Sequence, residues 1–514
     1  MLGKRAYLCL LMTCACLALI MLSSATLEGA NGQISFRVVE KNSEKPVAAR
    51  MHLNDSQGNP VMPPDLPFWR DHFVFDGQVT LELPPGEYTY EIEHGPECKL
   101  VKGVFQVGND SQEMKTVEIE RLVDMKQSGW WSGDLHIHRG LNDIELLMRA
   151  EDLHIGPVIT WWNNRNLWKD QPLPNDLMVR FDDNRFYQLM AGEDEREGGA
   201  LLYFNLNQPL NIFTSSREFP SPVEFLEQSR KHANVHVDIE KPFWWDMPVW
   251  IATEKVDSIG LCNNHMLRGG MLANEAWGKP RDPSRYPNPH GNGRWTQDIY
   301  YHLLNCGLRI PPSAGSASGV LPNPVGYNRV YVHCDGELNW DSWWKGLRAG
   351  RVVVTNGPLL NPRVNGQLPG HVFHATKGEQ LTLAVKLQLT LRDPVDFLEV
   401  VKDGDVVHKV SLEDFRKADG KLPDVKFAES GWMLIRAVTS NTQTFRFGAT
   451  GPYYVEIGES LRISKSSAQF FREWVAERAQ RIKLDNPDQR DQVMQHHLAA
   501  AKYWQSLVDQ ATAE

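Results

Sequence analysis

The chain has 514 residues, of which 42% are hydrophobic and 23% charged, and its formal net charge at pH 7 is −10. This length exceeds what one simple core needs, so we expect two to four domains of about 100 to 200 residues each. Acidic residues are dispersed and basic residues form no cluster, which argues against a nucleic-acid partner. Tryptophan is unusually frequent, with 17 residues.

Residues 1–25 have the pattern of a signal peptide: a basic start, an apolar run, and small residues at a cleavage site. We therefore predict that the mature chain begins near Thr26, has no transmembrane span, and is periplasmic or secreted. An uncleaved anchor helix and lipidation at Cys14 or Cys16 are the alternatives. The cysteines after this segment are even in number, which permits disulfides in an oxidising compartment; they are Cys98, Cys262, Cys306 and Cys334.

Hydrophobic periodicity divides the remaining chain into four regions. Period-two alternation around Pro/Gly turns predicts a β-sandwich over residues 26–125, and "VTLELPPGEYTYEIE" resembles carboxypeptidase-regulatory modules. Strand and helix patterns alternate over residues 126–358, which predicts βαβ units and an α/β barrel domain. Strand patterning returns over residues 359–462 and predicts a second sandwich. Residues 463–514 are predicted to form a helical tail, broken by Pro487.

The string "GDLHIHRG" carries the first motif with chemical meaning. In a strand, residues i and i+2 share a face, so His136 and His138 direct two imidazoles at one point. Two hydrogen-bonded histidines at a polar strand end are the structural alternative. Three further residues of ligand type stand at predicted strand ends: Glu193, His236 and His265. Imidazoles with a carboxylate suit zinc, manganese or iron, so we predict one or two divalent metal ions per chain.

These motifs resemble those of the PHP (polymerase and histidinol phosphatase) superfamily, most closely its CehA/McbA-like metallohydrolases. The resemblance rests on "GDLHIH", "GED", a later strand-end histidine and "GYNRVYVH…LRAGRVVVTNGP", and it extends over about residues 126 to 460. It implies a distorted (β/α) barrel flanked by β-sandwich domains. It also implies metal contacts from His136, His138, Glu193 and His236, with His265 as an additional ligand position.

Two motifs of this superfamily are replaced here. "ITWWNN" places Trp161 and Trp162 where an Asp-His pair is usual, and "SAGSASGV" places Ala317 and Gly319 where an Asp-x-His is usual. Indole N–H groups only donate hydrogen bonds, so these tryptophans cannot ligate a metal. We therefore expect fewer than three ions. The resemblance further implies that Asp134 orients one of the imidazoles.

Four Trp-Trp pairs lie in the predicted barrel region, and two of them adjoin the metal motifs. Aromatic faces beside a metal site recognise rings and sugar faces. We therefore predict a substrate-binding wall, with bulky core packing as the structural alternative, formed by Trp161, Trp162, Trp244 and Trp245.

Together these features predict an exported metal-dependent hydrolase in which an activated water attacks an ester, amide, carbamate or phosphoester bond. Asp238 and Glu240, just past His236, are the predicted catalytic carboxylates that move the proton. Because fewer than three ions are expected, carbonyl chemistry is favoured, with a small-molecule or carbohydrate-type substrate. The alternative is a catalytically reduced surface protein that binds metal or carbohydrate through the tryptophan-rich cleft.

Overall fold

The computed structural model describes residues 30–514, so the predicted signal peptide over residues 1–25 lies outside the described residues. The chain is rich in strands, which form several sheets, and it ends in two long helices. Within residues 30–514, no helix combines the length and the apolar character needed to cross a bilayer. The four cysteines of this part are buried free thiols, not disulfides.

The N-terminal region consists of two sheets that enclose their own core. Its strands are β1 (Gly32–Glu40), β2 (Ala49–Asn54), β3 (Phe68–Trp69), β4 (His72–Phe75), β5 (Gln78–Leu83), β6 (Gly86–Glu93), β7 (Val101–Val107) and β8 (Gln112–Ile119). The order is β5-β1-β8 in one sheet and β3-β4-β2-β6-β7 in the other. In β5 buried and exposed side chains alternate strictly, as the period-two pattern predicts. Phe36, Phe73 and Phe105 lie in the core between the sheets.

The central region alternates short helices with strands. Its strands are β9 (Trp130–Gly133), β10 (Ile155–Trp162), β11 (Arg165–Asn166), β12 (Met178–Phe181), β13 (Arg185–Arg196), β14 (Gly199–Phe204), β15 (His236–Ile239), β16 (Ser258–Cys262), β17 (Met266–Leu267), β18 (Gly270–Met271), β19 (Pro312–Ala314), β20 (Arg329–His333) and β21 (Val352–Thr355). Its helices are α1 (Ile144–Ala150), α2 (Pro222–Ser229), α3 (Met247–Ile251), α4 (Gly291–Asn305) and α5 (Trp340–Arg348).

The central sheet is mixed rather than uniformly parallel. The pairs β9–β10, β10–β13, β15–β16 and β16–β19 are parallel, as the predicted βαβ units require. The pairs β13–β14, β14–β15 and β9–β20 are antiparallel. The β13–β14 reversal has a local reason: only two residues, Glu197 and Gly198, separate these strands, so the connection is a tight hairpin. A regular succession of βαβ units therefore holds for only part of the region.

The C-terminal sheets share strands with the central region. The elements are β22 (Leu359–Val364), β23 (Val372–Ala375), β24 (Leu381–Thr390), β25 (Val395–Lys402), β26 (Asp405–Ser411), α6 (Leu412–Lys417), β27 (Lys421–Phe427), β28 (Gly431–Thr439), β29 (Phe447–Thr450) and β30 (Tyr453–Ile457). Strands β22, β24 and β27 form a separate sheet. The others continue the central sheet through the antiparallel β21–β29 pair. The second sandwich is thus joined to the central region by backbone hydrogen bonds.

The tail forms helices α7 (Lys465–Arg481) and α8 (Pro487–Asp509). Pro487 occupies the first turn of α8, and Asn486 caps it by accepting backbone N–H bonds, so the predicted break is confirmed. Trp474 and Trp504 are buried, and Trp504 Nε1 donates to the carbonyl of Pro248 in α3 at 2.9 Å. The tail is therefore packed on the central region.

Arg478 of α7 forms ion pairs with two carboxylates of the central region, Asp246 and Glu218. Its Nε donates to Asp246 at 2.7 Å and its Nη1 to Glu218 at 3.1 Å. We expect Arg478→Ala to lower the free energy of unfolding by about 3 kcal/mol, because buried carboxylates lose their counter-charge. Arg481→Ala, on the same helix but exposed, should change it by less than about 0.5 kcal/mol. Denaturant unfolding followed by tryptophan fluorescence measures both, and equal effects would contradict the assignment.

Candidate metal centre

His136 and His138 lie in an extended segment directly after β9. Ile137 between them forms backbone bridges to both neighbouring segments, and the N–H of His138 donates to the carbonyl of Ser318 at 2.8 Å. Because side chains alternate along extended backbone, Ile137 points into the core while the two imidazoles face the same way. Their Nε2 atoms lie 3.0 Å apart. The geometry is the one that the His-x-His string predicts.

Glu193 of β13 completes a cluster of three ligand-type side chains, in which His136 and Glu193 are buried and His138 is half-buried. Its Oε2 lies 3.1 Å from Nε2 of His138 and 3.6 Å from Nε2 of His136. This oxygen is buried and has no hydrogen-bond partner among the described residues. Buried polar atoms are rarely left in this state, and a divalent cation between the three atoms would satisfy all of them. The residues therefore fit a metal ion.

A second group of metal-ligand type lies in the N-terminal region and comprises His52, Asp71 and His72. Here Nδ1 of His72 lies 2.8 Å from Asp71 Oδ1, and the Arg50 guanidinium contacts Nε2 of His52. Because arginine only donates, Nε2 of His52 accepts, and its proton sits on Nδ1, the nitrogen that faces Asp71. A metal would need that nitrogen deprotonated. This group is an internally satisfied hydrogen-bond network, and the cluster at Glu193 is the better metal site.

Glu240 stands behind the imidazole of His136. Its Oε1 lies 3.3 Å from Nδ1 of His136, and it accepts hydrogen bonds from Trp244 at 3.0 Å and Asn264 at 2.6 Å. A carboxylate in this position holds the imidazole proton on Nδ1 and leaves Nε2 free for a metal. The resemblance implied this orienting role for Asp134, and Glu240 was predicted as a catalytic carboxylate. Glu240 lies on the side of the His136 ring away from Glu193, whereas Asp134 contacts the backbone N–H of His136 and not its ring.

Asp134 organises the backbone instead. Its Oδ1 accepts the N–H groups of His136 at 3.0 Å and Ser316 at 2.9 Å. Its Oδ2 accepts the Ser316 hydroxyl at 2.5 Å and the N–H of Gly326 at 2.7 Å. Burial raises the pKa of Asp134, against the effect of these hydrogen bonds. One carboxylate thus ties the His-x-His segment to the loop that follows β19.

The orienting contact of Glu240 can be tested by a conservative change. We expect Glu240→Gln to weaken metal binding by about 10- to 100-fold, because an amide holds the imidazole of His136 less firmly than a carboxylate. Glu275→Gln is the matched control, since Glu275 is buried and paired with Arg281 without contacting the cluster. Calorimetric titration of chelator-stripped protein with zinc measures both. Unchanged affinity in Glu240→Gln would contradict this role.

His236, predicted as a ligand, does not belong to the cluster. It is the first residue of β15, and the β13–β14–β15 ladder puts Asp238, two residues further on, level with Glu193. Nε2 of His236 instead lies 2.7 Å from the Ser258 hydroxyl, and burial lowers the pKa of the imidazole to about 3. His236 was predicted to lie at the end of a strand, whereas β15 begins with this residue.

Asp238 and His265 are buried but likewise stand outside the three-residue cluster. Asp238 accepts hydrogen bonds from the hydroxyls of Ser258 and Ser313, and burial raises its pKa to about 7. His265 packs against Phe243 with ring centroids 5.2 Å apart, and burial lowers its pKa well below the ordinary value. His265, predicted as an additional ligand position, is therefore not part of the cluster, and the predicted catalytic carboxylate Asp238 is bound by two serine hydroxyls in the interior.

Of the four predicted substrate tryptophans, Trp162 alone is partly exposed beside the cluster. Its ring centroid lies 4.9 Å from that of His138. Trp161 and Trp244 are 1% exposed and Trp245 is 6% exposed. These three rings pack in the interior, as the alternative of bulky core packing predicts. Of the predicted substrate-binding wall, only the indole of Trp162 lies beside the candidate metal centre.

The backbone and side chains around Trp161, Ala317 and Gly319 are tightly packed. Trp161 lies over Gly192, where an added Cβ would fall 1.8 Å from the indole. Gly319 has φ of +99°, and a Cβ there would lie 2.5 Å from the carbonyl oxygen of His138. Ala317 is buried, also with a positive φ. Among residues 30–514, these three positions contribute no metal-ligating side chain, and the number of bound ions stays a prediction.

Glu195 is a carboxylate beside the cluster that the sequence analysis missed. It lies two residues from Glu193 on the same face of β13, is partly exposed, and accepts the Nε1–H of Trp162 at 3.1 Å. Burial and the neighbouring Glu193 carboxylate raise the pKa of Glu195 to about 8. The string "GEDER" repeats an acid at i and i+2, the same period that located His136 and His138, and this signal would have identified it.

The charges of the cluster suit a metal ion. Burial lowers the pKa of both histidines, but in His136 the Glu193 and Glu240 carboxylates overcome burial and the net pKa is raised. In His138 burial prevails and the pKa is lowered. Burial acts to raise the pKa of Glu193, but the two imidazoles hold it far below its ordinary value. An ionised Glu193 and a neutral His138 are in the protonation states that bind metals, and an ion bound at Nε2 of His136 would displace the proton that the raised pKa favours there.

No protein-family model and no curated protein matches the chain. Partial similarities to solved structures include the Bacillus anthracis TIE protein, at 18% identity over 22% of this chain and 20% of that chain with a TM-score of 0.15. Phospholipase PlaB from Legionella pneumophila matches at 10% identity over 18% and 25% of the two chains, with a TM-score of 0.14. The pilus-presented adhesin Spy0125 (Cpa) matches at 12% over 19% and 28%, with a TM-score of 0.14. The chain thus spans less than a third of each of these proteins, and the chemistry of the site rests on its own geometry.

Proposed function

We propose that the chain is an exported metal-dependent hydrolase of the PHP superfamily, CehA/McbA-like, that holds one divalent ion between His136, His138 and Glu193. The supporting observation is the convergence of two imidazole nitrogens on a buried carboxylate oxygen that has no hydrogen-bond partner among the described residues. Structural zinc sites are closed by four side chains, often cysteines, whereas catalytic sites use three and keep one position open. The three-residue cluster matches the catalytic type.

A divalent cation held in such a site lowers the pKa of a bound water to around 7 and polarises a substrate oxygen. The chain's own residues supply the remaining functions. Glu240 holds the imidazole of His136 in place, and Trp162 forms an apolar wall beside His138. Glu195, which Trp162 hydrogen-bonds at the partly exposed side of the cluster, is the carboxyl group placed to pass a proton to a leaving group.

The number of ligands favours carbonyl chemistry over phosphoryl transfer. Two metal ions about 3.5 to 4 Å apart commonly clamp the attacking and leaving oxygens of a phosphoryl group. Here the cluster supplies three ligand atoms, and Trp161, Ala317 and Gly319 close the sides where others would enter. We therefore propose an ester, amide or carbamate as the bond that is cleaved. The proposed substrate is a small molecule that rests a ring or an apolar group on Trp162.

Elemental analysis combined with an activity panel tests this function. We expect about one zinc, manganese or iron ion per chain, as three protein ligands imply. Hydrolysis of p-nitrophenyl acetate should exceed that of p-nitrophenyl phosphate, should disappear with a chelator, and should return with the added ion. His138→Ala should lose both the ion and the activity, while His374→Ala, which removes an exposed histidine, should retain both.

Two results would contradict the proposal. Protein purified from metal-supplemented medium and found free of metal would remove the metal centre. Three tightly bound ions per chain, together with rapid turnover of the phosphate monoester, would show that further ligands exist and that the reaction is phosphoryl transfer.

A further inference from the structure

A polar cavity of about 450 Å³ lies where the N-terminal, central and C-terminal regions meet. We call it the junction cavity and define it by its six cationic side chains, two from each region. They are Arg50 and Lys102, Arg268 and Arg329, and Arg392 and Arg446. The volume falls within the range of about 300 to 1,000 Å³ that is usual for small-molecule sites.

The lining of the junction cavity is more positive than the rest of the molecule. Four carboxylates face the six cations, namely those of Glu91, Glu93, Glu151 and Asp393, so the lining has two positive charges in excess. The whole chain, in contrast, has a net charge of −10. A positive pocket in an acidic protein attracts and concentrates anions.

Part of the donor capacity of the cavity is unused. Arg268 donates through Nε and Nη2 to Glu91 and Glu93. Within residues 30–514, its Nη1 and the side-chain amide of Gln443, another lining residue, have no hydrogen-bond partner in the protein. Guanidinium forks bind carboxylate and phosphate oxygens with paired, charge-assisted hydrogen bonds. The lining therefore offers both net charge and free donors to an anion.

The two late sequence motifs contribute to this cavity. Tyr327 and Arg329 of "GYNRVYVH" line it, and so do Thr355, Asn356 and Gly357 of "TNGP". None of these residues belongs to the cluster around Glu193. The motifs therefore have a place in the structure that the metal centre does not explain.

We propose that the junction cavity binds a compact dianion, a small molecule with two negative charges on carboxylate or phosphate oxygens. The excess of two positive charges sets the charge of the ligand, and the volume limits its size. Because all three regions contribute cations, the bound dianion joins them and stabilises the folded chain by mass action. This proposal is independent of the hydrolase activity.

Thermal unfolding in the presence of two probes tests the proposal. Inorganic phosphate and succinate are titrated separately, with sodium chloride keeping the ionic strength constant and acetate as the monoanion control. We expect at least one dianion to raise the Tm saturably, by a few degrees at about 100 times its Kd, and acetate to leave it unchanged. A response to phosphate alone identifies a phosphoryl ligand, and a response to succinate alone identifies a dicarboxylate.

Two variants place the effect in the junction cavity. Lys102→Gln and Arg268→Gln should each weaken the calorimetric affinity by about fivefold or more, because each removes one of the two excess charges. Lys99→Gln, an equal change of charge at an exposed lysine that pairs with Glu120 outside the cavity, should not. Lys102 is itself largely exposed, so its replacement keeps the test valid where Arg268→Gln disturbs the fold. The absence of a saturable response to either dianion, or equal affinities in Lys102→Gln and Lys99→Gln, would overturn the proposal.

Discussion

Replacing Glu193 with glutamine is expected to lower the affinity for zinc by at least about 100-fold and to abolish metal-dependent hydrolysis. In the proposed site Glu193 is the anionic ligand of the three, and an amide oxygen in its place carries no net charge. The two side chains have nearly the same shape, so the buried position remains filled and the fold should persist. Calorimetric titration of chelator-stripped protein, with circular dichroism as a check of the fold, measures the effect.

The controls separate a ligand from a structural carboxylate. His138→Ala should lose zinc binding to a similar degree, because the Nε2 atom that it removes faces Oε2 of Glu193. Glu120→Gln, which removes an exposed carboxylate of the N-terminal region, should bind zinc like the wild type. Wild-type affinity in Glu193→Gln would show that the metal is held elsewhere.

Replacing Glu93 with alanine is expected to lower the free energy of unfolding by about 4 kcal/mol, because it leaves three arginines without their shared counter-ion. Glu93 is buried and pairs with one arginine from each of the three regions: Arg50 at 3.0 Å, Arg268 at 3.0 Å and Arg392 at 2.6 Å. Glu87→Ala, on the same strand but exposed, should change the stability by less than about 0.5 kcal/mol. Urea denaturation measures both, and equal midpoints would contradict the role of Glu93.

The same carboxylate should make stability depend on pH. Burial acts to raise the pKa of Glu93, but the charges of Arg50, Arg392 and Arg268 hold it well below its ordinary value. The unfolded-state pKa is about 4.3, so this stabilisation is complete above that pH and is lost as the pH falls toward the folded-state pKa. Below pH 4.3, the stability of Glu93→Gln should therefore fall less steeply than that of the wild type, by up to about 1.4 kcal/mol per pH unit. Parallel curves from urea denaturation would exclude this contribution.

The features that the sequence predicted correctly depend on residues close together in the chain. The alternation of side chains in an extended segment brought His136 and His138 to one face. Strand β10 coincides with the predicted "IGPVITWW", and Pro487 separates the two tail helices. In each case local conformation alone decides the outcome, and the period or the proline reveals it.

The features that could not be predicted from the sequence depend on the pairing of strands that are distant in the chain. Which residue of β15 comes level with Glu193 is set by the register of β13 and β14, so the sequence could not distinguish His236 from Asp238. The orienting contact of Glu240 has the same origin. The burial of Trp161 likewise follows from its position over Gly192, which no local period reveals.

Asp134 forms hydrogen bonds both to the candidate metal centre and to the lining of the junction cavity. The same carboxylate accepts the N–H of His136 on one side and, on the other, the N–H of Gly326, whose backbone lines the cavity. Thermodynamic linkage then makes the two sites reciprocal: the factor by which a cavity ligand changes metal affinity equals the factor by which the metal changes affinity for that ligand. Two titrations of the ligand, with and without zinc, therefore measure the coupling free energy between the two sites, and Asp134→Asn tests how much of it depends on this carboxylate.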